Sequence, residues 1–188
     1  MIHYKAIDKS WTLFLDRDGV INQDKEGDYI RHAGEFFFLA GAEEAIQFLN
    51  GLFGTTVVVT NQKGIGKGLM TEHDLKGIHD LMQSSLEKIG ARIDKIYFAP
   101  DLDNNSVNRK PNPGMAFQAK ADFPHIDFSK SIMVGNKLSD MEFGRNAGMA
   151  TVFLATTNPE TAFPHPFVDE RYDSLAGFAH AVKASTKP

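Results

Sequence analysis

Asp16-Arg17-Asp18-Gly19-Val20 follows directly on the apolar run Trp11-Thr12-Leu13-Phe14-Leu15. Two carboxylates two residues apart at the end of a buried strand repel each other unless a cation or a shared proton offsets the charge. The glycine after them suits a sharp turn or the close approach of a ligand. The combination points to metal-assisted phosphoryl transfer, against the plainer reading of an Asp- and Gly-rich surface turn. Other polar clusters sit in the same kind of place. The β-branched run Thr55-Thr56-Val57-Val58-Val59 ends in Thr60-Asn61-Gln62, and Ile132-Met133-Val134 ends in Gly135-Asn136-Lys137, with Asp140 one helical turn further on. Between them Arg109-Lys110 precedes Pro111-Asn112-Pro113-Gly114, a cationic pair ahead of a turn and a helix start.

Such clusters can act together only if their strands run the same way. In a parallel α/β sheet the ligand crevice lies at the carboxyl ends of the strands, so these strand ends converge. The remaining pattern supports that sheet. Ala42, Ala45, Ile46, Leu49 and Leu52 trace one helical face, closed off near Gly51 and Gly54. A second helix starts at the N-cap residue Thr71, carries Leu75, Ile78, Met82, Leu86 and Ile89, and stops near Gly90. Lys95 to Phe98 reads as a strand, Met115 to Ala121 as a helix, and a further helix follows Asn136 as far as Asn146. Ala150 to Leu154 is another strand, then comes the proline-bearing loop Thr156 to Pro166 and a last helix over Ser174 to Val182. Phe36-Phe37-Phe38 is assigned to the core. The expectation is an α/β protein, a Rossmann-like three-layer α/β/α arrangement with a mainly parallel sheet, forming one domain over residues 1–188.

In this order the four clusters resemble the motifs of the haloacid dehalogenase (HAD) superfamily of aspartate-nucleophile phosphatases. DRDGVIN, TNQKGIGKG, RKPNPGM and VGNKLSDM are similar, more narrowly, to the branch holding D-glycero-D-manno-heptose 1,7-bisphosphate phosphatases and histidinol-phosphate phosphatases, and the likeness runs over residues 11–155. The resemblance implies a Mg²⁺-dependent phosphatase with a small phosphorylated metabolite as substrate. A heptose bisphosphate losing its 7-phosphate is the first choice and histidinol phosphate the second. Asp16 is then the nucleophile that forms an aspartyl phosphate, and Asp18 the general acid and base. Thr60, Asn61 and Lys110 attend the transferring phosphoryl group. Arg109 suits a second phosphate, and Lys63, in a glycine-rich cationic loop with Lys67, either greets an anionic substrate or is merely exposed. Asp16, Asp18, Asn136 and Asp140 form the implied Mg²⁺ set, Asp18 through its backbone carbonyl.

Three positions depart from the family pattern. Asn136 stands where the fourth motif usually has Asp, so an uncharged oxygen takes a ligand's place. Lys63 replaces a small residue. The segment Ala99 to Asn108 carries no Cys or His where many heptose bisphosphate phosphatases have a zinc cluster, so no zinc is expected and turns with Asx hydrogen bonds must hold the loop. The spacings leave no room for a large cap domain at either usual insertion point. The Asn136 substitution also keeps open a non-catalytic phosphosugar-binding module, although Asp16, Asp18, Thr60 and Lys110 are all present. None of the seven histidines is assigned to the site.

Composition narrows the partners. The formal charge of −4 and the lack of a Lys/Arg-rich run offer no footprint for nucleic acid, and no apolar stretch reaches membrane-spanning length. The amino-terminal residues lack the continuous apolar segment of a signal peptide. With no cysteines, disulfides and thiolate zinc sites are excluded. A cytoplasmic monomer or weak homo-oligomer is expected.

Overall fold

The computed structural model describes residues 2–186. Its centre is a six-stranded sheet in the order β3-β2-β1-β4-β5-β6. The strands are β1 (Thr12–Leu15), β2 (Thr55–Asn61), β3 (Lys95–Ala99), β4 (Ser131–Gly135), β5 (Ala150–Leu154) and β6 (Glu170–Tyr172). All five pairings are parallel, with Leu15 opposite Val58 on one side and Val134 on the other. The helices are α1 (Ala42–Leu52), α2 (Lys63–Gly66), α3 (Glu72–Lys88), α4 (Gly114–Asp122), α5 (Leu138–Ala147) and α6 (Leu175–Thr186).

Successive side chains of a strand point to opposite faces of the sheet, and here both faces are covered. On one face Leu13, Leu15, Val58 and Val134 pack with Ile46 and Leu49 of α1, Ile78 and Met82 of α3, and Phe178 and Val182 of α6. On the other, Phe14, Val57, Val59 and Met133 pack with Met115 and Ala119 of α4 and Met141 and Phe143 of α5. The strands therefore read as continuous apolar runs, and the architecture is the three-layer α/β/α one that the sequence implied.

The order of strands locates a ligand crevice. From β1 the chain winds outward through β2 and β3, then returns to β4 beside β1 and winds the other way. The direction reverses between β1 and β4, and it is outside the carboxyl ends of such a pair that open α/β sheets bind ligands. Asp16 follows β1 and Asn136 follows β4, and the Asp16 N–H donates to the Val134 carbonyl at 2.9 Å.

Several expectations are adjusted. β2 runs on through Thr60 and Asn61, which close the strand instead of following it. Gly51 lies within α1, whose C-cap is Phe53. The glycine-rich loop after Gln62 contains the one-turn helix α2. Of the three phenylalanines, Phe36 is buried, Phe38 packs partly against the core and Phe37 is 60% exposed. β6 has no counterpart in the sequence reading: it is a three-residue edge strand, half-buried throughout, with no alternation to reveal it. Thr71 caps α3 as expected, in a reciprocal capping box with Asp74. Between β1 and α1 the described structure holds only a 3-10 turn at Ala33–Glu35 and isolated bridges, which leaves the cleft without a cap-sized lid there.

Candidate active site

Lys110 is the hub of the strand-end cluster. Its side chain is buried, with Nζ 2.9 Å from Asp16 Oδ1, 2.7 Å from Asp140 Oδ1 and 2.9 Å from the Val59 carbonyl, so all three ammonium hydrogens have partners. Burial works against the Lys110 charge, yet Asp140 and Asp16 outweigh it and hold its pKa above the ordinary lysine value. Asp16 shows the converse balance. Burial pushes its carboxyl up to about 6, Lys110 pulls it down, and the nearby Asp140 adds repulsion. Lys110 alone thus under-compensates the two carboxylates.

Asn61 holds Lys110 in place. Its Oδ1 accepts from the Lys110 N–H at 3.0 Å and its Nδ2 donates to the Lys110 carbonyl at 3.1 Å, a two-point clip on the backbone. The side chain expected to contact substrate is thereby engaged with the Lys110 backbone. Asp140 is engaged in a similar way. Its Oδ2 accepts from the N–H groups of Asn136 at 3.1 Å and Lys137 at 3.0 Å, while Oδ1 serves Lys110. Both oxygens are engaged in shaping the turn after β4 and in holding Lys110, so Asp140 braces the site whichever way it meets a cation. Gly135 permits this arrangement, since a Cβ there would lie 2.2 Å from the Asp140 Cβ.

Asp18 is gripped from below. Arg17 Nη2 donates to both of its oxygens, at 2.8 and 2.9 Å, Asn22 Nδ2 donates at 2.9 Å and Gln62 Nε2 at 3.1 Å. Burial opposes the Asp18 charge, but Arg17 and these donors overcome it and lower the pKa below the usual carboxylate range. Arg17 itself is fully buried, and its Nη1 donates to His79 Nε2 at 3.3 Å. Sequence reasoning passed over Arg17, Asn22, Gln62 and His79. A signal existed for His79, because it falls on the interior face of α3 with Leu75, Ile78 and Met82.

Asn136 is wholly buried, and only one end of its amide is satisfied. Nδ2 donates to Thr157 Oγ1 at 2.7 Å, whereas Oδ1 has no hydrogen-bond partner among the described residues. A buried, unpaired carbonyl-type oxygen after β4, with an under-compensated Asp16 after the adjoining β1, fits a hard, oxygen-seeking cation such as Mg²⁺. Among the described residues no group of three or more His, Cys, Asp or Glu side chains has metal-holding geometry, so any such site mixes carboxylate, carboxamide and backbone oxygens.

The cleft has two parts. An inner pocket of about 50 Å³, the scale of one phosphoryl group, is lined by Asp16, Asp18, Thr60, Lys110 and Ser139 among others. It shares Asn61, Lys137 and Ser139 with an outer cavity of about 440 Å³ that also reaches Lys63, Arg109 and Thr157. Lys63 therefore belongs to the cleft, while Lys67 is turned onto the Tyr29 ring, 5.2 Å from its centroid. Asp24 and Asp28 of the outer wall are neutralised, by Lys137 and by Lys25 with Arg31. Among the described residues neither Lys63 nor Arg109 has a carboxylate partner, and with Glu26 counted the lining sets four cations against three carboxylates, a net positive charge. Arg109 Nε and Nη1 hold Asn104 Oδ1 and the Asp101 carbonyl, and Asn112 Nδ2 holds the carbonyls of Asn104 and Ser106. Hydrogen bonds thus fix the loop after β3, as the missing zinc ligands required.

Comparison with known proteins agrees with this geometry. Residues 107–165 match the HAD-hydrolase-like family model. The chain is 39% identical, over 92% of its length and 91% of the relative's, to a D-glycero-alpha-D-manno-heptose-1,7-bisphosphate 7-phosphatase of Mycobacterium tuberculosis. It is 37% identical, over 94% of its length and 96% of the relative's, to the corresponding beta-anomer enzyme of Escherichia coli K12. The crystal structure of a D,D-heptose 1,7-bisphosphate phosphatase from B. bronchiseptica, complexed with magnesium and phosphate, superposes with a TM-score of 0.83 at 29% identity, covering 93% of this chain and 98% of that one. The chain belongs to the HAD-like hydrolases. Within that family it falls with the phosphatases, and the two curated relatives named above, matched over nearly the whole chain, are heptose bisphosphate 7-phosphatases.

Proposed function

We propose that this chain removes the 7-phosphate of D-glycero-D-manno-heptose 1,7-bisphosphate in a Mg²⁺-dependent reaction that passes through a phosphorylated Asp16. The observation that carries the proposal is the phosphoryl-sized pocket floored by Asp16 and Lys110, opening onto a larger cavity lined by Lys63 and Arg109. One subsite takes the reacting group; the other suits a sugar carrying a second anion. Histidinol phosphate, whose ammonium calls for a free acid, fits the outer wall less well, because Asp24 and Asp28 are already ion-paired and Glu26 stands alone against Lys63 and Arg109.

Asp16 Oδ1 is oriented by Lys110, which leaves the other oxygen to attack the phosphoryl group as the leaving oxygen departs. Lys110 and the Thr60 hydroxyl meet the charge that develops on the phosphoryl oxygens. Asp18 is ionised in the free protein, the form that later takes a proton from the attacking water. Arrival of a phosphate dianion beside it raises its proton affinity, which equips it to donate to the leaving alkoxide. Asp16, the Asp18 carbonyl and Asn136 Oδ1 would hold Mg²⁺, which when bound neutralises the nucleophile and a phosphoryl oxygen so that they can approach. Among the described residues the loop engages only Nε and Nη1 of Arg109, so Nη2 would pair with the second phosphate. The test is Asp16→Asn. Turnover should fall by at least ~10³-fold with an unchanged circular dichroism spectrum; a variant that keeps normal activity removes Asp16 from the role.

A further inference from the structure

Thr157 lies beyond β5, outside every motif, yet the segment Thr156-Thr157-Asn158 ties the turns after β1 and β4 together. Thr156 Oγ1 donates to the Gly19 carbonyl at 2.5 Å, Thr157 Oγ1 accepts from Asn136 Nδ2 at 2.7 Å, and Asn158 Nδ2 donates to the Asn136 carbonyl at 2.9 Å. Gly19, at φ +80°, packs directly against this junction: a Cβ there would lie 2.1 Å from Asn136 Nδ2 and 2.7 Å from Thr157 Oγ1. The Asn136 side chain is therefore confined, with its nitrogen on Thr157 and its oxygen on the opposite branch of the planar amide, unpaired.

We propose that Thr157 is a positioning residue for the cation: by accepting from the Asn136 amide nitrogen it lets Asn136 present its oxygen as a ligand. The inference rests on the Mg²⁺ reading above and extends it to a residue that makes no metal contact itself. Its logic is specific to asparagine. A carboxylate has two equivalent oxygens and no donor to satisfy. A carboxamide that turns its oxygen to a cation must bury its NH₂ elsewhere, and a buried donor without an acceptor carries a heavy penalty. Without the Thr157 hydroxyl the Asn136 NH₂ loses its acceptor, and turning the oxygen to a cation would leave that NH₂ buried and orphaned.

The experiment is calorimetric Mg²⁺ titration of the full chain and of Thr157→Val, Thr157→Ser, Asn136→Asp and the Asn136→Asp/Thr157→Val double variant, each checked for an unchanged melting profile in chelator. Thr157→Val should weaken Mg²⁺ binding on the order of tenfold, the scale of one lost buried hydrogen bond. Thr157→Ser should restore it, and in the Asn136→Asp background the valine should change affinity less than about twofold. Equal affinities for the parent and Thr157→Val, or the same loss in both backgrounds, would overturn the inference while leaving the Mg²⁺ reading intact. A parent chain that binds no Mg²⁺ would overturn both.

Discussion

Lys110 and Asn136 dominate the electrostatics of the site, and each makes a prediction. Lys110 is sandwiched between two buried carboxylates, so removing its charge leaves both uncompensated. We expect Lys110→Met to lose about 3–5 kcal/mol in urea unfolding with chelator present, and to recover part of that loss when Mg²⁺ is added. A loss untouched by Mg²⁺ would separate the lysine from the cation site. Asn136→Asp adds a negative charge where an uncharged oxygen now stands, and should tighten Mg²⁺ binding. An unchanged titration would put that side chain outside the coordination shell. Residue types and their order along the chain were enough to bring Asp16, Lys110 and Asn136 to neighbouring strand ends, while the roles proposed for them rest on the family resemblance. The bracing roles of Asp140 and Asn61 were not legible, because sequence names a polar group without saying which neighbour will claim it. Arg17 is the sharpest case. It sits inside the most informative motif, yet only folding reveals that its guanidinium is wholly buried under Asp18.

Elements set how far a substrate can reach. The loop after β3 lacks the family's zinc ligands and is laced instead by Arg109, Asn104 and Asn112, so Arg109 both holds the loop and edges the outer cavity. Arg109→Ala should raise KM for a bisphosphate by roughly tenfold while changing KM for a matching monophosphate less than twofold. Asn104→Ala, which loosens the loop but keeps the cation, serves as the control; equal effects of the two variants would mean that Arg109 is only a fastener. Strand and helix placements were mostly readable because both-face burial gives apolar runs and amphipathic helices give clean periodicity. β6 and α2 were not, since a three-residue edge strand and a one-turn helix are fixed by what they pack on.

At the scale of the whole molecule, the reversal of winding between β1 and β4 gathers residues from distant parts of the chain, and the link Asp18–Arg17–His79 carries the site through to α3. His79 is buried, burial and the adjacent Arg17 charge push its pKa down to about 3, and it is neutral in the folded protein. In the unfolded chain it titrates near 6.5. A depressed histidine contributes stability that is complete above the unfolded value and is lost as pH falls from there towards the folded value. Between pH 6 and 4 the unfolding free energy should therefore fall more steeply in the parent than in His79→Gln, by about 1.4 kcal/mol per pH unit, the slope of one proton. Parallel slopes would place a charged imidazole in the fold. No helix among the described residues is long and apolar enough to cross a membrane.

The central claim is best tested by phosphate release from the alpha and beta anomers of D-glycero-D-manno-heptose 1,7-bisphosphate, with histidinol phosphate alongside, in Mg²⁺ and in chelator. The expected result is Mg²⁺-dependent release of one phosphate per heptose bisphosphate, from the 7-position, and far slower turnover of histidinol phosphate. Release that persists in chelator, or turnover concentrated on histidinol phosphate, would contradict it.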